Sequence, residues 1–276
     1  MARPEQSERS PTPEPAAGTR FSADEIYENV RVAAEKEMER PPAALLWSAV
    51  AAGLTIAFSF LAGAYLTTLV PDRFAGAAAA AGYPLGFIFV LLARNQLFTE
   101  NTLEPIIPLL NEPSGAKLRG LLSIWGIVLA GNLVGAMVVA WLLCRTPVVD
   151  AGLQTSLARL AEHGTRGGFT EVAYRAVFAG WLIALMAWLI SSTRATGAQL
   201  ALVWLTTAPI SALGFRHSIA GAVEAFYRLF AGTMSWHELG VDFLSAALIG
   251  NVCGGVLFVA LLNHGQVAAG RPVEEV

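Results

Sequence analysis

Charge is what this chain has least of. Only 14% of its 276 residues are Asp, Glu, Lys or Arg, against 55% hydrophobic, where a soluble domain carries about 25% charge. A water-soluble globule is excluded, and a polytopic membrane protein is expected. Cysteine is scarce too: Cys144 and Cys253 both sit inside apolar runs. Without paired spacings there is no disulfide framework or thiolate metal cluster, and both are read as small buried apolar side chains. No basic tract interleaves with aromatics, so nucleic acid is not an expected partner. The net charge of −3 points to no other. No cofactor or metal is implied. The N-terminus lacks an apolar stretch followed by a small-residue cleavage site, so a signal peptide is not expected.

Residues 1–20 carry Pro4, Pro11, Pro13 and Pro15 among Ser, Thr, Glu and Arg, a composition that predicts disorder. Residues 21–40 then read as an amphipathic helix. Ser22 and Glu25 form a capping box and Phe21 can staple onto Ile26. Ile26, Val30, Ala33, Ala34 and Met38 share a face. The acidic remainder (Asp24, Glu25, Glu28, Glu35, Glu37, Glu39) argues against adsorption to anionic lipid and for a collar packed under the same protein. Pro41-Pro42 ends it. Residues 41–264 hold six apolar spans, each continuous one exceeding the roughly 20 residues that cross hydrocarbon, and 265–276 form a polar tail. The longest polar connection is 145–168.

Two of the six spans are interrupted. Arg94-Asn95-Gln96-Leu97-Phe98-Thr99-Glu100-Asn101-Thr102-Leu103-Glu104-Pro105 breaks one, and Leu213-Gly214-Phe215-Arg216-His217-Ser218 breaks the other. Broken backbone is tolerated in a bilayer only inside protein or beside a water-filled cavity. Interrupted spans at matching places in two halves point to a solute site near the midplane. The halves are visible as a repeat: Gly131-Asn132-Leu133-Val134-Gly135 recurs as Gly250-Asn251-Val252-Cys253-Gly254, an offset of 119 (250 − 131). The same offset carries Phe98-Thr99 onto His217-Ser218. Three spans per half force opposite orientations. The fold class is therefore an all-α membrane protein of two inverted three-helix repeats. The paired glycines predict close helix packing; Asn132 and Asn251 become buried amides that either pin the broken loops or line a pore.

Together Leu97-Phe98-Thr99-Glu100-Asn101, Gly214-Phe215-Arg216-His217-Ser218-Ile219-Ala220 and the Gly-Asn-x-x-Gly spans resemble the formate/nitrite transporter family, in a divergent branch with an acidic N-terminal extension. The similarity covers about residues 42–264. The resemblance implies an aquaporin-like protomer in a homopentamer of the inner membrane, with one pore per protomer for small monovalent anions. It also implies that both termini are cytoplasmic, which the Lys/Arg distribution across the loops does not decide. Thr99 matches the family's loop threonine and His217 its central pore histidine. Leu97, Tyr83 and Phe87 match the apolar constrictions, Ile210 does so from the other half, and Phe98 stands beside Thr99 in the loop motif. Four positions depart from the pattern. Gln96 and Arg216 stand where acidic residues are usual, the vestibule lysine falls near Gly164, and a pore-facing asparagine falls near Gly180.

A bare anion in low dielectric is costly, so a pore with apolar constrictions needs fixed positive charge or a proton delivered to the anion. His217 is the histidine at membrane depth; His163, His237 and His264 fall in or near loops. It is expected to donate a proton or a hydrogen bond, with Thr99 as a positioning hydroxyl. Arginine inside a span is a functional signal whose partner should be named. For Arg94 and Arg216 the available acids are Glu100, Glu104 and Glu224. The preferred reading pairs Arg216 with Glu100 or Glu104 and locks the two loops together; the other makes the arginines an electropositive filter. An enzyme is not expected: Ser218 merely neighbours His217, and a second intramembrane histidine for haem is missing. No Asn-Pro-Ala pair marks a water channel. Two alternatives stay open, a pore for a different small solute and a non-conducting membrane scaffold or sensor.

Overall fold

A computed structural model describes residues 21–270. The segment 1–20, expected to be disordered, lies outside the described residues. Among those described the chain is helical, without strands.

Helix α1 (Ala23–Met38) starts on Ser22, whose hydroxyl accepts from the Glu25 N–H while the Glu25 carboxylate accepts from the Ser22 N–H. Tyr27, Val30 and Ala34 form its buried face. The phenol of Tyr27, absent from the expected apolar stripe, binds His264 Nδ1 and accepts from Asn111 Nδ2 at 2.8 Å. Its ring stands edge-on to Trp188 at 6.4 Å. The amphipathic helix thus packs on its own protein.

The first span is α2 (Pro42–Thr55) and α3 (Ala57–Thr68), bent at Ile56. Next come α4 (Ala75–Gly82) and α5 (Pro84–Leu92), then the first break, then a short α6 (Ile106–Asn111). The span α7 (Gly115–Arg145) is followed by α8 (Ala151–Thr165) and by the span α9 (Phe169–Ile190). Helices α10 (Thr196–Ala212) and α11 (Ser218–Ala231) flank the second break. The last span runs Glu238–Gly270 through α12 (Ala246–Gly255) and α13 (Leu262–Gly270). Among the described residues five stretches are long and apolar enough to cross a membrane alone. The sixth is α10 with α11, each half too short by itself. Helix α13 runs six residues further than the expected span end at 264, so the tail begins as helix. Cys144 and Cys253 are half-buried rather than enclosed.

The repeat is visible in the packing. Gly53 of α2 lies against the Asn132 backbone of α7, and a Cβ there would collide with the Asn132 carbonyl. Gly180 of α9 meets the Asn251 backbone of α12 in the same way. Gly135 meets Val50 and Gly254 meets Val177 likewise. Each Gly-Asn-x-x-Gly run is therefore the seam along which α7 joins α2 and α12 joins α9. Small residues permit that approach without lipid having to be squeezed out by a larger side chain.

The connection 145–168, read from the sequence as the longest polar connection, contains α8. Asp150 caps it by accepting from the Leu153 N–H at 2.9 Å, and it buries Leu157 and Ala161 against α3 and α11. The signal was present in Asp150 followed by Leu153, Leu157, Leu160 and Ala161 at helical spacing.

Candidate pore site between two severed helices

Both breaks open with the same backbone device. Helix α5 ends with Arg94 in the left-handed region (φ 53°), the Arg94 N–H bonding Leu91 O and the Asn95 N–H bonding Val90 O, each at 3.0 Å. Helix α10 ends with Gly214 at φ 66°, its N–H on Ser211 O at 3.2 Å and the Phe215 N–H on Ile210 O at 2.9 Å. Such a cap satisfies carbonyls a helix end would otherwise orphan, and glycine takes it without strain. Arg94 takes it at a cost.

Past the caps, one buried asparagine holds each loop. Asn132 Oδ1 accepts from the Phe98 N–H, and its Nδ2 donates to Gln96 O and Ala49 O, all at 2.8 Å. Asn251 Oδ1 accepts from the Ser218 N–H at 2.8 Å, and its Nδ2 donates to Arg216 O at 2.9 Å and Ala176 O at 2.8 Å. These bonds equate Phe98 with Ser218, an offset of 120 (218 − 98), and Leu97 with His217. The sequence offset of 119 holds for the glycine-asparagine helices but not for the loops. The expected match of Phe98-Thr99 to His217-Ser218 is off by one residue.

His217 closes the second break. Its Nδ1 accepts from the Ile219 and Ala220 N–H groups at 3.2 and 3.0 Å, capping α11. Ser218 N–H goes to Asn251 and Gly221 N–H to His217 O at 2.9 Å. The amides of Ser218, Ile219 and Ala220, three of the four that a helix start leaves open, are thereby used, and the Gly221 bond is the first regular one of α11. With Nδ1 accepting, the neutral ring carries its proton on Nε2, and Nε2 lies 2.8 Å from Thr99 Oγ1. The two breaks meet in this bond. Its walls are apolar: the Phe87 ring stands edge-on to the imidazole at 5.1 Å and 5.3 Å from Tyr83. Leu97, Phe98 and Ile210 lie in the same buried cluster, with Phe98 turned onto Trp125 at 5.9 Å.

The charged residues do not form the expected network. Arg94 is exposed on the protomer surface. Among the described residues Arg216 makes no ion pair with Glu100 or Glu104: its Nη2 donates to Arg166 O at 3.0 Å, and its Nε is buried without a partner. The inverted halves explain this. The first loop carries Glu100 and Glu104 towards α1, where Glu104 feels Glu37. The second loop carries Arg216 towards α8 and α9, where its electrostatic neighbours are Glu224, Arg175 and Glu171. A cavity of 30 Å³ on that side reaches His217 and is lined by Tyr83, His163, Gly164, Arg216 and Glu224 among others. His163, outside the spans, is held below the usual histidine range by burial and by the charges of Arg216, Arg166 and Arg175.

Two family departures also find a physical place. Gly164 leaves room that the Glu224 carboxylate fills, and a Cβ at 164 would strike it. Gly180 is the crossing point with α12, so no asparagine fits there without moving the helices apart. Neither was legible beforehand, since both depend on which helices cross.

Comparison with known proteins extends beyond the motifs. The model of a family described as "Formate/nitrite transporter" matches residues 24–265. The chain is 36% identical to the inner membrane protein YfdC of Escherichia coli (strain K12) over 245 residues, covering 88% of this chain and 78% of that one. Among solved structures, an FNT family ion channel superposes with TM-score 0.72 at 22% identity, over 90% of this chain and 97% of that one. A pentameric formate channel with formate bound superposes with TM-score 0.68 at 20% identity, over 83% and 98%. With the severed helices, the loop threonine, the buried histidine and a family match across nearly the whole described chain, this protein belongs to the formate/nitrite transporter family, a membrane transporter and not an enzyme.

Proposed function

We propose that each protomer, within a homopentamer of the inner membrane, passes small monovalent anions of the formate or nitrite kind. In this reading α1 and α13 face the cytoplasm. The observation that carries it is the Thr99–His217 hydrogen bond, which sets a hydroxyl and an imidazole N–H where two helix breaks meet among apolar rings. The assembly and solute are supported by family membership and by the pentameric, formate-bound neighbour.

The ring acts as a hydrogen-bond donor. Nε2–H donates to Thr99 Oγ1, which leaves the threonine proton free to point at a solute. Outright loss of the Nε2 proton would leave an anionic ring. A second proton has no place on Nδ1 while two N–H groups point at it. The proton that neutralises the anion for the apolar constrictions at Leu97, Phe87, Tyr83 and Ile210 therefore comes with the solute or from another residue.

Uptake of formate and nitrite into proteoliposomes tests this. Loss of a hydrogen bond to a charged solute corresponds to roughly 1.5–3 kcal/mol, or about 10- to 100-fold. Thr99→Val, which removes the donor facing the solute, should slow uptake on that scale, and His217→Phe, which removes the bond that orients it, should follow. An unchanged rate in His217→Phe removes the histidine from the path. Intact wild-type pentamer that passes no weak acid would make the protein a non-conducting scaffold.

A further inference from the structure

The cavity on the α8 side of His217 holds two charged groups that the pore reading leaves unused. Arg216 is 5% exposed and Glu224 7% exposed. The guanidinium is fixed by the Arg166 carbonyl at 3.0 Å, yet its Nε–H has no partner. Among the described residues Glu224 makes no hydrogen bond, and no ion pair within 4.0 Å joins it to Arg216, although each lies in the other's field. Opposite charges sharing one small cavity would ordinarily close on each other. Here Gly164 leaves room for the carboxylate, and Arg216, a wall residue of the cavity, has a buried Nε–H without a partner.

We propose that Arg216 and Glu224 frame an oxyanion subsite next to His217, in which a planar monovalent oxyanion docks on the Arg216 fork and Glu224 takes up the accompanying proton. The inference rests on the pore reading for the origin of the solute. Guanidinium presents N–H groups in a rigid plane that two oxygens match and a spherical ion does not. The charge count supplies the proton. Where Glu224 is ionised beside Arg216 the cavity is neutral, so an incoming anion would leave one uncompensated buried charge. A proton from the α8 side, bound to Glu224 as the anion binds, restores neutrality, and both leave together. The charged and titratable groups around Glu224 are Tyr83 before α5, His163 on α8, and Arg216 and His217 in the second loop. Arg166, Glu171 and Arg175 lie at the α8–α9 end. Helices α3 and α7, also packed on α11, give the cavity no titratable side chain.

The test measures binding apart from transport. Thermal stabilisation of the detergent-solubilised full-length protein is titrated with formate, nitrite and chloride from about pH 5 to about pH 10, spanning the carboxyl titration, for wild type, R216Q, R216K and E224Q. Losing a charge-assisted contact predicts a rise of about 10- to 100-fold in half-saturating formate or nitrite for R216Q. R216K should recover part of it, and chloride should change little. Wild-type binding should tighten as pH falls, while E224Q should bind equally at all pH values. If R216Q does not fold, R216K and E224Q decide. Wild-type affinity in the arginine variants, an unchanged pH profile in E224Q, or no binding to wild type overturns the subsite. Arg216-dependent binding without uptake would sink the transport reading alone, whereas uptake indifferent to Arg216 would sink only the subsite.

Discussion

Replacing Asn251 by alanine should unfasten the second loop, and the cost can be worked from its three bonds. The Ser218 N–H and the Arg216 carbonyl lose the partner that Asn251 gives them, while Ala176 O sits mid-helix where the ladder already uses it. The site is 0% exposed. Each buried backbone group left without a partner costs about 1–3 kcal/mol, so two of them set the loss at roughly 2–6 kcal/mol. Asn251→Asp should be worse than Asn251→Ala. It keeps the acceptor for Ser218 but turns a carboxylate oxygen towards two carbonyls in a dry site. The assay is the thermal midpoint of the solubilised protein, with hydrogen exchange at Ser218 and the α11 start as a local readout. Asn132→Ala provides the matched control, because it frees Phe98 N–H and Gln96 O in the same way. An alanine variant with wild-type midpoint and exchange, or an aspartate variant milder than alanine, would refute the idea that these amides hold the loops.

Arg94→Gly should stabilise the protein by about 0.5–1 kcal/mol, because it relieves a left-handed side-chain residue and Arg94 has no described ion pair to lose; the thermal midpoint should rise. Gly180→Ala and Gly53→Ala should each destabilise by about 1–3 kcal/mol or more through forced helix separation, read as a lower midpoint and faster exchange along the α9–α12 or α2–α7 seam. His163 predicts an acid-side weakness. Its folded form resists protonation, so stability is complete above about pH 6.5 and falls as pH drops below it, because the unfolded chain binds the proton better. His163→Gln should flatten the midpoint between pH 7 and 5, and an unaltered profile would count against the shift.

What was readable from the residues was what depends on period and on chain breaks. Apolar runs and prolines marked the spans, the polar interruptions at 94–105 and 213–218 marked the severed helices, and the duplicated glycine-asparagine runs revealed two halves. Ser22 and Glu25 marked the start of α1. What escaped was set by tertiary geometry. The slip from 119 to 120 arises because Asn132 and Asn251 select the loop register through hydrogen bonds, independently of the helix repeat. The pairing of Arg216 with Glu100 or Glu104 failed because nearness to the midplane does not say which side of it a side chain takes. Glu224 was among the acids named for Arg216, but its place in the cavity beside His217 depends on the space left by Gly164 on another helix. Helix α8 was overlooked because its charges masked a regular leucine stripe.

The register shift puts Leu97 and His217 at equivalent points of two otherwise matching half-structures. A scaffold that is nearly indifferent to being turned upside down therefore has a midpoint that is not. A traveller arriving from one side meets an aliphatic stub where its counterpart from the opposite side meets a ring bearing N–H. Any rectification would draw on that mismatch together with the unlike flanks, acids on the α1 side and Arg216 with Glu224 on the α8 side.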